Sequence, residues 1–415
     1  MKILKLFISK SFHLFLLIGL LSAQDLSRVA PKTLKPETGT FQIEKKTESE
    51  GSEKIVLKEL KGLVLWEEDF RLRVGGMPGV RGLDSRVYLK SREKLERTLA
   101  SFFDHPLSLQ KMNEIQQRVE SHFRMEEEVW VRVMIPEQKL VDGVLQIVVI
   151  KSSVGKVTVE GNRWFKGEDL IEDFGLKPGD PIQDESMGAG LDWVNRNPFR
   201  QADLCLAAGS EQGKSDLILK VQDRFPVRFF AGYEDSGSSL TGEDRYLTGF
   251  NWGDAFMQGH QMNYQFTTSN PTSRFFAHSG NYIIPLPWHH ELEFIGAYAE
   301  AQGTAGDLGI TGKSWQVSTR YRIPLPKLRE ITGEVSLGYD FKQSNNNLEF
   351  GGENVFTHLT DINQAAIEYK GSLKDGWGST GWGTKFFGSP GGLTENNKNE
   401  NFRESRANAS SIYAY

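Results

Sequence analysis

Cysteine is almost absent: Cys205 is the single one among 415 residues, which excludes an intrachain disulfide and any cysteine-cluster metal site. It sits in the run Leu204-Cys205-Leu206, the setting of a buried core thiol. Charge of one sign is also missing. With 49 Lys+Arg against 54 Asp+Glu the net charge is −5, so there is no basic footprint for nucleic acid or an anionic lipid surface. No run beyond the N-terminus approaches the ~20 apolar residues that a helix needs to cross a bilayer. Catalytic constellations are lacking too. His289 and His290 are neighbours and on a strand would face opposite ways, so they cannot share one metal. Gly75-Gly76 with Gly79 and Gly82 has no following Lys-Ser/Thr and is no P-loop. Glu126-Glu127-Glu128 reads as a solvated helix end. These absences imply no enzyme, no cofactor, no metal and no small-molecule substrate.

What is present starts with an export signal. Lys2, Lys5 and Lys10 precede the apolar stretch Phe12 to Leu21, which runs into Leu21-Ser22-Ala23-Gln24. A basic start, a short apolar core and a small-residue cleavage site predict a signal peptide over 1–23, cut after Ala23. The apolar core is too short for a transmembrane anchor. Residues 24–52 hold Pro31, Pro36 and many Lys, Glu, Thr and Ser without apolar periodicity, which is linker composition.

Two small modules follow. Val56-Leu57 and Leu63 to Trp66 read as strand, Leu95, Leu99, Phe102 and Phe103 mark one helix, and Leu109, Met112, Ile115, Val119 and Phe123 mark a second with Ser108 as N-cap. Val129 to Ile135 and Val144 to Ile150 are β-branched runs around Asp142-Gly143. The order β-α-α-β-β then recurs, through Val154 to Val159, Lys166 to Phe174, Asp184 to Asn195, Ala202 to Ala207 and Asp216 to Val221. A pattern met twice predicts modules over 53–152 and 153–223; the alternative is one larger α+β domain.

From Phe225 to Tyr415 helical periodicity gives way to strict alternation. Met262, Tyr264 and Phe266 interleave with Gln261, Asn263, Gln265 and Thr267; Trp315, Val317, Thr319, Tyr321 and Ile323 interleave with Ser314, Gln316, Ser318, Arg320 and Arg322. Val335, Leu337, Tyr339 and Phe341 alternate likewise with Glu334, Ser336, Asp340 and Lys342. Successive side chains on a strand face opposite sides, so each segment carries an apolar and a polar face. Transmembrane strands run ~9–11 residues and alternate tight turns with longer loops. Here Ile284-Pro285-Leu286-Pro287 and Ile323-Pro324-Leu325-Pro326 recur 39 residues apart, while the other connections are polar and looser. The pattern predicts strands near 225–235, 245–256, 259–269, 274–285, 290–301, 313–324, 330–342, 357–370, 377–388 and 403–415. The fold class is therefore α+β modules in two β-α-α-β-β copies, followed over 224–415 by an antiparallel transmembrane β-barrel of about ten strands, against a secreted β-sandwich or solenoid.

Specific runs now match a known family. Asn195-Arg196-Asn197-Pro198-Phe199-Arg200, Ala208-Gly209, Gly213, Ser215-Asp216-Leu217, Asp223-Arg224-Phe225-Pro226 and Gly232-Tyr233-Glu234-Asp235-Ser236-Gly237 resemble the passage from the second POTRA domain into the barrel of two-partner secretion transporters of the hemolysin-activator type. Ile135-Pro136-Glu137-Gln138 with Asp142-Gly143, and Val154-Gly155 with Val159-Glu160-Gly161-Asn162, resemble the junction of that family's two POTRA domains. The similarity covers about residues 54–415. It implies an outer-membrane protein with periplasmic POTRA domains that moves one large exoprotein, unfolded in transit and β-helical when folded, to the cell surface without ATP. Outer-membrane lipid and that exoprotein would be its partners.

Two departures follow from the resemblance. It implies a sixteen-stranded barrel with a Val-Arg-Gly-aromatic motif in the sixth surface loop, whereas Val80-Arg81-Gly82-Leu83 lies in the first module. Ten strands would leave two edges in lipid, where each unpaired backbone group costs several kcal/mol. The expectation is an incomplete barrel whose missing part begins after Tyr415, the alternative being a genuine ten-stranded barrel. Residues 24–50 also lack the amphipathic pattern of the family's plug helix.

Candidate partner-binding residues lie on module edges that an extended client could join by strand addition: Trp130, Val131, Val133 and Ile135 in the first module, and Ala202, Leu204 and Leu206 in the second, with Trp193 and Phe199 as aromatic contacts. Candidate lumen residues are Gln261, Asn263, Gln265, Arg320, Arg322, Glu334 and Asp340. A general outer-membrane assembly factor, a passive porin and a secreted β-rich adhesin are the alternatives.

Overall fold

The computed structural model describes residues 41–43, 53–67, 72–211, 213–305, 308–328, 331–350, 353–402 and 408–414. The expected signal peptide, the plug-helix region and all of the expected linker except 41–43 lie outside the described residues. The described residues divide into two compact units: 41–196 with Arg200–Asp223, and 224–414 with Asn197–Phe199.

The first unit opens with a short strand β1 (Phe41–Ile43), then β2 (Ile55–Leu57), β3 (Gly62–Trp66), β4 (Gly82–Ser85), helix α1 (Arg92–Leu99), β5 (Leu107–Ser108), α2 (Leu109–Glu126), β6 (Val131–Met134) and β7 (Val144–Lys151). Strands β4-β3-β7-β6 form one sheet. The 3.6-residue spacing on α2 places Ile115, Val119 and Phe123 against Leu63, Leu65, Leu145 and Ile147, all buried. Ser108 caps α2 by accepting the Lys111 N–H at 3.3 Å. Leu109, counted on the buried face from its spacing, is instead exposed at the first helical position. Glu127 corrects the reading of a solvated helix end: it is buried and accepts the N–H groups of Lys90 and Ser91 at 2.9 Å each, at the start of α1.

The second module comprises β8 (Ser153–Glu160), α3 (Gly167–Phe174), α4 (Asp184–Asn195), β9 (Arg200–Ala208) and β10 (Lys214–Asp223). Its sheet runs β1-β9-β10-β8, and Leu170, Phe174, Met187, Leu191, Leu204, Leu206, Leu217 and Leu219 are all buried. Asp223 closes the module by accepting the N–H groups of Arg163, Trp164 and Phe165 at 2.9, 2.7 and 3.0 Å.

The other unit is one antiparallel sheet in sequence order: β11 (Val227–Glu234), β12 (Arg245–Ala255), β13 (His260–Thr268), β14 (Phe275–Pro285), β15 (Glu291–Ala305), β16 (Leu308–Leu328), β17 (Ile331–Phe350), β18 (Glu353–Asp375), β19 (Gly378–Ser389) and β20 (Ser411–Ala414), with a helical turn α5 (Asn399–Phe402) before β20. Nine of the ten strands fall where alternation placed them, and the tenth is strand only over Ser411–Ala414 of the expected 403–415; β16 to β18 run longer than expected because β16 with β17 and β17 with β18 keep pairing past the expected bounds. The segment after β19 departs from expectation. It folds back on β18 beyond the point where β19 leaves, and Asn397 and Asn401 donate to the carbonyls of Asp361 and Leu359 at 2.7 and 3.1 Å. Side-chain amides thus satisfy an edge that would otherwise be open.

Candidate functional site

Burial in the ten-stranded sheet is inverted. The polar face is the hidden one: Asp340, Gln364 and Ser318 are each 1% exposed and Glu293 2%. The apolar face is the open one, with Phe229 78%, Val317 51%, Phe386 53% and Ile367 54% exposed. A soluble sheet buries the opposite set, because each apolar side chain left in water forgoes ~1.5–3 kcal/mol. Aromatic groups gather at the tight-turn end, where Trp288 and His290 both bond the Tyr321 hydroxyl, at 2.9 and 2.7 Å, and Trp252 packs on Phe256. Rings with polar tips at a band's border are a membrane-interface feature. His290 therefore serves that border.

The hidden face is wired across strands. Asn251 donates to Asn263 at 2.8 Å, Asn263 to Asn281 at 2.9 Å and Asn281 to Glu293 at 2.6 Å. Glu293 is paired in turn with Arg322, which lies 3.6 Å from Glu291. This ladder joins β12 to β16 in one line. Beside it Arg320 pairs with Asp340 at 2.5 Å, and Gln364 donates to the other Asp340 oxygen at 2.8 Å. Arg320 reaches Asp340 across Gly338, where a Cβ would stand 2.5 Å from the guanidinium. Gln265 donates to Thr267 at 3.0 Å on the same face. Gln261 and Glu334 are half-buried there, set opposite Ile283 and Lys370. The seven expected lumen residues thus share the hidden face. Asn251, Asn281 and Glu293 were missed by sequence reasoning, although the alternation that selected Asn263 could have found them.

The module edges differ from expectation. β6 lies at the edge of its sheet, but Glu120 accepts the Val133 N–H at 2.9 Å and Gln116 donates to the Val133 carbonyl at 3.0 Å. Two side chains of α2 thereby take the groups a client would use. Burial raises the Glu120 carboxyl above the usual carboxylate range, against the lowering effects of the Val133 N–H and of Arg132. Val131 and Ile135 pack on the core. Trp130 donates its indole N–H to Asp184 at 2.6 Å beneath the Arg124 guanidinium.

In the second module, Asn195 brackets Ala202, accepting its N–H at 2.7 Å and donating to its carbonyl at 3.1 Å. Leu204 and Leu206 stand opposite Phe41 and Ile43 of β1. The expectation of a bare edge over Ala202, Leu204 and Leu206 is corrected: a side chain and a strand already occupy it. Trp193 and Phe199 are corrected as well, since both are buried and offer no surface to a client. Phe199 belongs to the barrel unit. It packs on Gly253, where a Cβ would lie 2.1 Å from the ring, and Asn197 donates to the Gly253 carbonyl at 2.6 Å.

Residues 213–404 match the family model described as Haemolysin secretion/activation protein ShlB/FhaC/HecB. The match covers 192 of the 415 residues, and over that stretch the chain is similar to this family. Among curated relatives, the outer membrane transporter CdiB-2 of Burkholderia pseudomallei (strain 1026b) is 26% identical over 40% of this chain and 29% of its own. The heme/hemopexin transporter protein HuxB of Haemophilus influenzae (strain 86-028NP) is 19% identical over 52% of this chain and 41% of its own. The matches therefore span well under half the length of these relatives. Among solved structures, CdiB from Escherichia coli has a TM-score of 0.59 at 15% identity, over 92% of this chain and 66% of that one. CdiB from Acinetobacter baumannii gives 0.50 at 13% identity, over 92% and 69%. These likenesses show the fold.

Within the haemolysin secretion/activation match lie the Asp340 network, the Glu293–Arg322 pair and Asp223. The Asn197-Pro198-Phe199 run and the β1 cover lie before it.

Proposed function

We propose that this chain acts in two-partner secretion, as an outer-membrane transporter that passes an exoprotein from the periplasm to the cell surface. The carrying observation is the inverted sheet, with buried cross-strand polar networks on one face and exposed Phe, Val, Ile and Trp on the other. Lipid would cover the open apolar face, and the polar face would line the path. An unfolded chain needs hydrogen-bonding groups along its route, which the Asn251-to-Arg322 ladder offers. The two β-α-α-β-β modules would be POTRA domains standing in the periplasm, where they meet the client by strand addition. Folding of the client outside, into a β-helix, would give the transfer its direction without ATP. The family match does not favour the assembly-factor alternative.

Expression of this chain together with a candidate exoprotein tests the reading. Surface exoprotein that depends on this chain supports it. Exoprotein that reaches the surface equally in a strain lacking the chain contradicts it.

A further inference from the structure

The apolar face of the ten-stranded sheet holds a pit with a built frame. Gly280 of β14 stands directly opposite Gly296 of β15, and the same row continues to Tyr264 on one side and Val317 on the other. One row toward the tight turns Tyr282 faces Phe294, and one row away from them His278 faces Tyr298. These six side chains wall a cavity of about 540 Å³, and the two glycines form its floor.

The frame is held by its own polar tips. The Tyr264 hydroxyl bonds His278 Nδ1 at 2.7 Å, the Tyr282 hydroxyl bonds His260 Nδ1 at 2.6 Å, and the Tyr298 hydroxyl donates to Glu300 at 3.0 Å. Each hydroxyl is thus engaged with a neighbour, and the rings turn carbon toward the cavity. The two glycines have different causes. At Gly280 a Cβ would stand 2.8 Å from the Asn263 carbonyl oxygen, so close strand approach demands glycine there. At Gly296 a Cβ would meet no described atom within 4 Å. The sheet's own packing therefore does not require glycine at 296, and glycine inside a strand weakens it. A strand glycine that the fold does not need often marks a place where a ligand approaches the backbone.

We propose that this pit is a binding site for one acyl chain of a membrane lipid, seated on Gly280 and Gly296 between the rings of Tyr264, Tyr282, Phe294 and Tyr298. This rests on the membrane reading of the sheet. The occupant follows from continuity: Phe294 and Val317, 42% and 51% exposed, belong both to the wall of the pit and to the open apolar face that lipid covers. A pocket of this volume lined by carbon suits a flexible apolar chain. The gain over bulk lipid is contact, since a flat band touches a chain on one side whereas the pit touches it on its floor and along its walls. One row beyond Tyr298, Glu300 pairs with Lys313 at 3.2 Å. The head group therefore lies at that end, and the chain runs from it toward the tight turns.

Native mass spectrometry of the full-length protein in detergent, with 1-palmitoyl-2-oleoylphosphatidylethanolamine as the probe, reads the site. Wild type is expected to retain a single probe molecule when the micelle is stripped. Gly296→Leu and Val317→Trp fill the pit from different strands, and each is expected to retain none. Ile367→Trp, on the same face but on β18, is expected to retain the probe as wild type does. Heat-modifiable gel mobility shows which variants are folded, and two fillers keep the result independent of either one. Wild type without retained probe overturns the proposal, as do retention by a folded filler at the wild-type level and loss from Ile367→Trp. A wild-type dimer that a filler breaks up assigns the pit to a second copy of the chain and overturns it too. The membrane reading fails separately, if the protein stays in the aqueous phase on detergent partitioning; a protein that enters the detergent phase yet retains no probe contradicts the pit alone.

Discussion

Arg320 and Asp340 stand on neighbouring strands of the hidden face, 2.5 Å apart, with Asp340 1% exposed. Removing one partner of such a pair strands the other's charge, at a cost of ~3–5 kcal/mol, whereas replacing both with apolar groups of similar volume costs far less. Asp340→Ala is therefore expected to lower the urea midpoint of the detergent-folded protein strongly, and Arg320→Met/Asp340→Leu much less. Unfolding followed by heat-modifiable gel mobility checks this. Equal losses from both variants would contradict it.

Asn197 and Phe199 are held by Gly253. A methyl at that glycine would collide with the Phe199 ring, and overpacking typically costs ~1–3 kcal/mol. Gly253→Ala should therefore free the segment and open the Asn197 to Arg200 stretch to proteolysis. Asn197→Ala should do the same by leaving the buried Gly253 carbonyl without its donor, with ~1–3 kcal/mol lost. A digestion pattern unchanged in both would show that the contact is dispensable.

The first module should respond to pH through two groups on α2 that act in opposite directions. Burial holds the His122 imidazole below its usual 6.5, partly opposed by Glu127. Its contribution to stability is full above 6.5 and is lost as pH falls through the folded value. Burial raises Glu120 above 4.5, so its contribution is full below 4.5 and is lost as pH rises through the folded value. His122→Phe should make the module less sensitive to acidification between about pH 7 and pH 5.5. Glu120→Gln, which keeps an acceptor for the Val133 N–H, should remove the loss of stability that sets in as pH rises from 4.5. Hydrogen exchange at α2 amides of the full-length protein reads both slopes, and slopes that shift together would contradict the assignment.

Much of the barrel was legible because a period of two is a local property. The alternation at Gln316, Val317 and Ser318 needs no knowledge of the neighbouring strand, and it located nine of the ten strands. A mean hydropathy of −0.42 conceals this arrangement, because it averages over the two faces. What escaped depends on distant partners. Nothing local tells that Phe41–Ile43 pairs with β9, or that Phe199 packs on Gly253 within the barrel unit. Glu120 and Gln116 lie on the polar flank of an amphipathic helix, and only the fold shows that this flank meets the β6 edge. Glu127 looked solvated for the same reason. The polar ladder was half legible: alternation gave its face, but bond partners depend on register, which sequence alone did not supply.

The central claim is that the client travels along the hidden polar face. Photo-crosslinking residues placed at Gln265 and Gln316, and at their outward neighbours Phe266 and Val317, address it most directly. The client is an exoprotein stalled in transit by a fused folded domain. The account predicts crosslinks to the stalled exoprotein from Gln265 and Gln316 and none above background from Phe266 and Val317. Equal crosslinking from both faces, or crosslinking from the apolar face alone, would contradict it.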